Sequence, residues 1–87
     1  MRSFELLIAL DVVEFVERLP KVDRMMIRNR FLEIRENPGR HSDYGEPDAV
    51  GRIVDINICG RFAVKYWTDH ADRQIKILDV HAADRQR

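Results

Sequence analysis

The chain has 87 residues, 45% of them hydrophobic and 34% charged, with 15 Lys and Arg balanced by 15 Asp and Glu. That is the composition of a globular protein rather than a disordered tail, and the length fits one domain, residues 1–87, with no room for a second. Zero net charge removes the basic excess that usually marks a nucleic-acid binder, and leaves a local basic patch as the only route to such a ligand.

The first apolar run, FELLIA, leads into Asp11, with Glu14 three residues on. That pair fits a capping box, so residues 4–10 are expected to be a short edge strand feeding a helix. Val12, Val13, Val16 and Leu19 recur at helical spacing, and Pro20 stops that helix and opens the next. From Lys21 to Glu36 a wide apolar arc (Val22, Met25, Met26, Ile27, Phe31, Leu32, Ile34) faces Arg24, Arg28, Arg30, Glu33 and Arg35. Asn37-Pro38-Gly39 ends it. The two helices are expected to form a tightly joined hairpin. Residues 40–50 (RHSDYGEPDAV), with Gly45 and Pro47, read as a surface loop.

Three runs rich in Ile, Val, Phe, Tyr and Trp follow, at 52–58, 61–68 and 73–80. Cys59-Gly60 and residues 69–72 separate them at hairpin length, which predicts an antiparallel meander. The fold class is therefore α+β in two layers: a short N-terminal strand, a helical hairpin packed on one face, and a three-stranded meander. The tail AADRQR is polar and expected to fray. One cysteine, Cys59, excludes an intrachain disulfide and fits a reducing cytosol. No apolar run approaches the ~18 residues that span a bilayer. Glu5, Asp11 and Glu14 interrupt the apolar start too often for a signal peptide, so the expected location is cytoplasmic, with no membrane partner.

Strand side chains alternate faces with period two. Placing Val54, Phe62 and Leu78 with their parity mates on the core side leaves Arg61, Lys65, Asp55, Asp79 and His81 together outside. Two cations, two carboxylates and an imidazole on one face make a candidate site. The bland reading is a solvated sheet face on which Asp55 and Asp79 neutralise Arg61 and Lys65, each pair contributing about 1 kcal/mol or less.

The element order and the residues GRIVDINICGRFAVKYW and IKILDVH resemble the RelE/ParE superfamily of type II toxin–antitoxin toxins, and within it the HigB-like branch. The resemblance implies a toxin that cleaves messenger RNA on the ribosome, without a cofactor, and is neutralised by a cognate antitoxin. Arg61 is similar to the family's sheet arginine after the hairpin, Lys65 to a second cation, and the pair Asp79 and His81 to its terminal Asp-x-His. The chain departs from the pattern at Asp55, where such toxins carry Arg, and at Gly60, where they carry an aromatic.

Metal-free RNA cleavage needs a base for the 2′-OH proton, a cation for the phosphorane and an acid for the leaving oxygen. Histidine is the residue type on this face whose ordinary pKa lies nearest neutrality, so His81 is the expected proton carrier; its alternative is an ordinary strand-end histidine. Arg61 offers phosphate a planar fork of donors and Lys65 a point charge. Asp79 and Trp67 are expected to touch substrate, Trp67 by stacking on a base, against the plainer reading of a Trp packed on a loop. His41, His70 and His81 do not form a metal spacing, so no metal is expected. The competing function is a fold member that acts by binding alone, as a ParE-like gyrase inhibitor or as a degenerate toxin that only binds an antitoxin.

Overall fold

The computed structural model describes residues 4–83; the expected fraying tail lies largely outside them. In chain order the elements are β1 (Glu5–Ile8), α1 (Leu10–Glu17), α2 (Lys21–Glu36), β2 (Tyr44–Pro47), β3 (Ile53–Cys59), β4 (Phe62–Asp69) and β5 (Gln74–Ala82). The strands form one sheet in the order β1-β5-β4-β3-β2, antiparallel throughout except where β1 runs parallel to β5. Both helices lie on one face, so the fold is α+β in two layers, as the sequence predicts.

Three local expectations need correction. The first helix is not capped by Asp11. It starts at Leu10 behind Ala9, which gives no side-chain cap bond, and Asp11 sits in the first turn, where its charge still suits the helix dipole. Part of the expected loop 40–50 is a strand: Tyr44–Pro47 pairs with β3, Tyr44 opposite Ile56 and Glu46 opposite Val54. Pro47 is tolerated because β2 is an edge strand with a side that need not donate.

The third correction concerns the faces. The core comprises Val12 and Val16 of α1, Ile27, Phe31 and Ile34 of α2, and Cys59, Phe62, Val64, Tyr66, Ile75, Ile77 and Val80 of the sheet. Burying each large apolar side chain contributes about 1.5–3 kcal/mol. Register fixes which residues share that helix-covered face. Asp55, Asn57 and Cys59 pair with Tyr66, Val64 and Phe62, so β3 turns these inward, and Val54, Ile56 and Ile58 outward, opposite to expectation.

The polar pair Asp55 and Asn57 faces inward because residues 37–43 fold over it. Tyr66 Oη donates to the Pro38 carbonyl at 2.5 Å, Asn57 Nδ2 to the His41 carbonyl at 2.8 Å, and Ser42 Oγ to Asp55 Oδ1 at 2.7 Å. Asn57, only 3% exposed, also accepts from Arg30 Nη1 at 2.9 Å. Tyr66, Asn57 and Asp55 thus each have a partner, which is the condition for leaving water cheaply. Burial, and then the nearby Asp55 and Asp43 charges, push the Tyr66 hydroxyl far above its ordinary range, so it remains a donor.

On β5, Ile75 and Ile77 face the core, where the sequence places Leu78. The ladder slips between Lys65 and Tyr66: Tyr66 pairs with Ile77 and Lys65 with Asp79, so Leu78 is an extra, unpaired residue. This β-bulge reverses the alternation. Beyond it Val80 points inward, and Asp79 and His81 point to the face without helices.

Candidate functional site

That helix-free face is built in cross-strand rows. One row runs Tyr44–Ile56–Lys65–Asp79 across β2, β3, β4 and β5; the next runs Ile58–Ala63–His81. Its floor is apolar: Val54, Ile56 and Ala63 are all buried. They lie beneath longer neighbours on the same face, whose stems cover them while their polar ends reach water.

Of the residues expected to converge, Lys65, Asp79 and His81 do. Lys65 sits directly opposite Asp79, and His81 lies two residues further along the same strand face. His81 Nδ1 is 2.9 Å from Asp79 Oδ2, a contact that strand spacing alone does not suggest. A carboxylate only accepts, so Nδ1 carries the proton in this contact and the ring is held in a defined tautomer.

Arg61 does not join them. It belongs to the turn before β4, its guanidinium lies over the Phe62 ring at 4.7 Å, and it bonds Asp23 of α2 at 2.5 Å. The expected sharing of a face by Arg61, Lys65 and His81 therefore fails for Arg61, because a turn residue need not keep strand alternation. Asp55 is also absent from the site, facing inward onto Ser42.

Trp67 is on the site face, opposite Lys76. Its ring is already engaged: the Arg52 guanidinium lies 4.3 Å and the Lys76 ammonium 5.2 Å from its centroid. A base stacking there would have to displace one of them.

The residue that sequence reasoning missed is Glu46. Its carboxylate lies 3.2 Å from Lys65 Nζ, and it stands on the site face opposite Val54. Its segment, YGEP, has no β-branched residue and contains both Gly and Pro, so no propensity signal marks it as a strand. The ion pairing expected to neutralise this face exists, but with other partners: Glu46 takes Lys65, Asp69 takes Lys76 at 3.7 Å, and Asp48 takes Arg52 at 2.8 Å. Burial alone would raise the Asp48 carboxyl. The amides of Arg52 and Val50 and the Arg52 guanidinium more than offset that and hold it below its ordinary value.

Chemically, the face offers a carboxylate–ammonium pair beside a carboxylate–imidazole pair over an apolar floor. Such a set can neutralise a phosphate and move a proton at each of two positions. Among the described residues no group of three or more His, Cys, Asp or Glu is placed to hold a metal ion. A separate cleft of about 210 Å³, lined by Ile8, Val13, Val16 and Phe31 together with Glu17 and Arg28, lies between the helices and β1 and offers a mainly apolar surface. No helix is long and apolar enough to cross a membrane among the described residues.

No protein-family model and no curated protein matches the chain. Solved structures do. The RelE–RelB complex of Pyrococcus horikoshii OT3 contains a chain that is 20% identical with a TM-score of 0.82, covering 97% of this chain and 99% of that one. The toxin–antitoxin complex RelBE2 of Mycobacterium tuberculosis matches at 14% identity and a TM-score of 0.76, covering 93% and 99%. A mutant of the E. coli toxin RelE in the free state matches at 13% identity and 0.73, covering 98% and 88%. At these identities the shared property is the architecture: this chain has the fold of RelE toxins.

Proposed function

We propose that this protein is the toxin of a type II toxin–antitoxin pair, of the HigB-like branch, that cleaves messenger RNA on the ribosome in the cytoplasm. The observation that carries the reading is the Asp79–His81 pair placed beside Lys65 and Glu46 on the open face of a RelE fold. In the proposed reaction the phosphate takes Lys65 Nζ from Glu46. The freed carboxylate removes the 2′-OH proton, and that oxygen attacks phosphorus while Lys65 neutralises the developing charge. Protonated His81, oriented through Nδ1 by Asp79, gives its other proton to the leaving 5′-oxygen, so the chain breaks with a cyclic phosphate on one fragment. Arg61 takes part only by exchanging Asp23 for phosphate, and Trp67 contacts substrate only at the rim.

The partner proposed on this reading is an antitoxin, since two of the similar structures are toxin–antitoxin complexes. Induction of the wild type and of His81→Ala in bacteria lacking the antitoxin, with transcript ends mapped, tests the activity. Cuts in translated messages that vanish in His81→Ala support it; intact transcripts in both remove it. A reading by binding alone is favoured by the pairing of Lys65, Lys76 and Arg52 with carboxylates, which leaves the face nearly neutral. Growth arrest with DNA-damage signalling and no cuts would select it.

A further inference from the structure

Tyr44 opens β2 on the site face, in the same cross-strand row as Lys65 and Asp79. It is 49% exposed, and among the described residues its side chain makes no hydrogen bond or ring contact, Ser42 Oγ donating only to its backbone carbonyl. Its place on that face contrasts with that of Trp67, whose ring holds two cations, and of Tyr66, whose hydroxyl is bound inside the core. Ile58, 41% exposed, stands on the same face two residues beyond Ile56, in the row that holds His81. Tyr44 and Ile58 thus form an apolar shelf around Ile56, on the β2 side of the charged groups. With neighbouring strands about 4.8 Å apart, Tyr44 is roughly 10 Å from Lys65 along the row. A phosphate seated at Lys65 and His81 brings the base of an adjoining nucleotide over this shelf.

We propose that Tyr44 is the stacking platform of the site: it receives an unpaired base next to the reacting phosphate and selects single-stranded RNA. Every base has a π-face, so such a platform accepts all four, and a base held in a duplex cannot reach it. The proposal rests on the RNA-cleaving reading for its substrate, but its test does not depend on cleavage.

The test measures binding of a fluorescein-labelled single-stranded ten-nucleotide RNA, with 2′-deoxy sugars throughout in a second, uncleavable version, by anisotropy at fixed low salt. Tyr44→Ala is expected to weaken binding of both versions by about 5- to 100-fold, the range for losing one stacked base. Tyr44→Phe should bind as the wild type does, because the ring rather than the hydroxyl is used. Circular dichroism establishes that each variant is folded. A blunt duplex of the same sequence should bind no better to the wild type than to Tyr44→Ala. If Tyr44→Ala binds as tightly as the wild type while Lys65→Met loses affinity, the platform is refuted and the nuclease reading stands. If the wild type binds but never cuts the all-ribose strand in translating extract, and Tyr44→Ala still loses affinity, the platform stands and the nuclease reading falls. Absence of binding by the wild type overturns both.

Discussion

Asp79 and His81, two residues apart on β5, are joined side chain to side chain at 2.9 Å. On the proposed reading Asp79 acts through the imidazole rather than on substrate. Asp79→Asn keeps the volume but offers Nδ1 a donor as well as an acceptor, so the tautomer is no longer fixed. Cleavage should fall by about 10-fold or more, a smaller loss than the ~100-fold or greater expected for removing a general acid in His81→Ala. RNA affinity should stay unchanged in Asp79→Asn, and the pH dependence of single-turnover cleavage should shift. Equal loss of binding and cleavage would assign Asp79 to substrate contact instead.

Glu46 holds Lys65 at 3.2 Å across two strands. Glu46→Gln removes the competitor for that ammonium. Binding of single-stranded RNA should tighten by about 2- to 5-fold at low salt, the equivalent of one partly exposed ion pair. The gain should shrink in 1 M salt, where the screening length is ~3 Å. Cleavage should fall in the same variant, because the proposed base is gone. A rise in cleavage would make Glu46 only a counter-ion.

The bulge at Leu78 places one extra, unpaired residue in β5. Deleting Leu78 should restore uninterrupted pairing with Ile77 still opposite Tyr66 and Asp79 still opposite Lys65, so Asp79 and His81 stay on the helix-free face and Val80 stays inward. The deletion should therefore retain cleavage and change stability by no more than about 1–2 kcal/mol, since Val80 keeps its place in the core and no charged group enters it. Leu78→Ala keeps the residue count and should retain activity too. Denaturant unfolding and cleavage assays on the two variants, side by side, check this.

The helices were the most legible part of the chain: the 3.6-residue arc and Asn37-Pro38-Gly39 match α2, Lys21–Glu36, at both ends. The three meander strands were equally plain, because β-branched and aromatic runs separated by short turns allow few other readings. Their faces were not. Period-two reasoning assumes one wet side and one dry side, and β3 has neither: its polar pair Asp55 and Asn57 is covered by residues 37–43, and its apolar mates Val54 and Ile56 by side chains of the open face. The bulge is invisible for a related reason, since one added residue changes parity without changing composition. Lys65, Asp79 and His81 were legible because each stands on the expected side of its strand, whereas Arg61 was misplaced as a turn residue and Glu46 was hidden in a segment without strand propensity.

The hydrogen bonds that join Pro38, His41 and Ser42 with Tyr66, Asn57 and Asp55 lie on the helix side, yet the segment they pin runs directly into Tyr44 and Glu46 on the opposite side. The sheet is thus a wall whose working surface is adjusted from behind. On the proposed toxin reading, a genetic selection for loss of toxicity would return two classes of allele: lesions at His81 and Lys65, inactive at every temperature, and lesions at Tyr66 and Asn57, active in the cold and silent when warm. Second-site suppressors should arise only for the second class, among residues that strengthen the helix side and never touch a substrate.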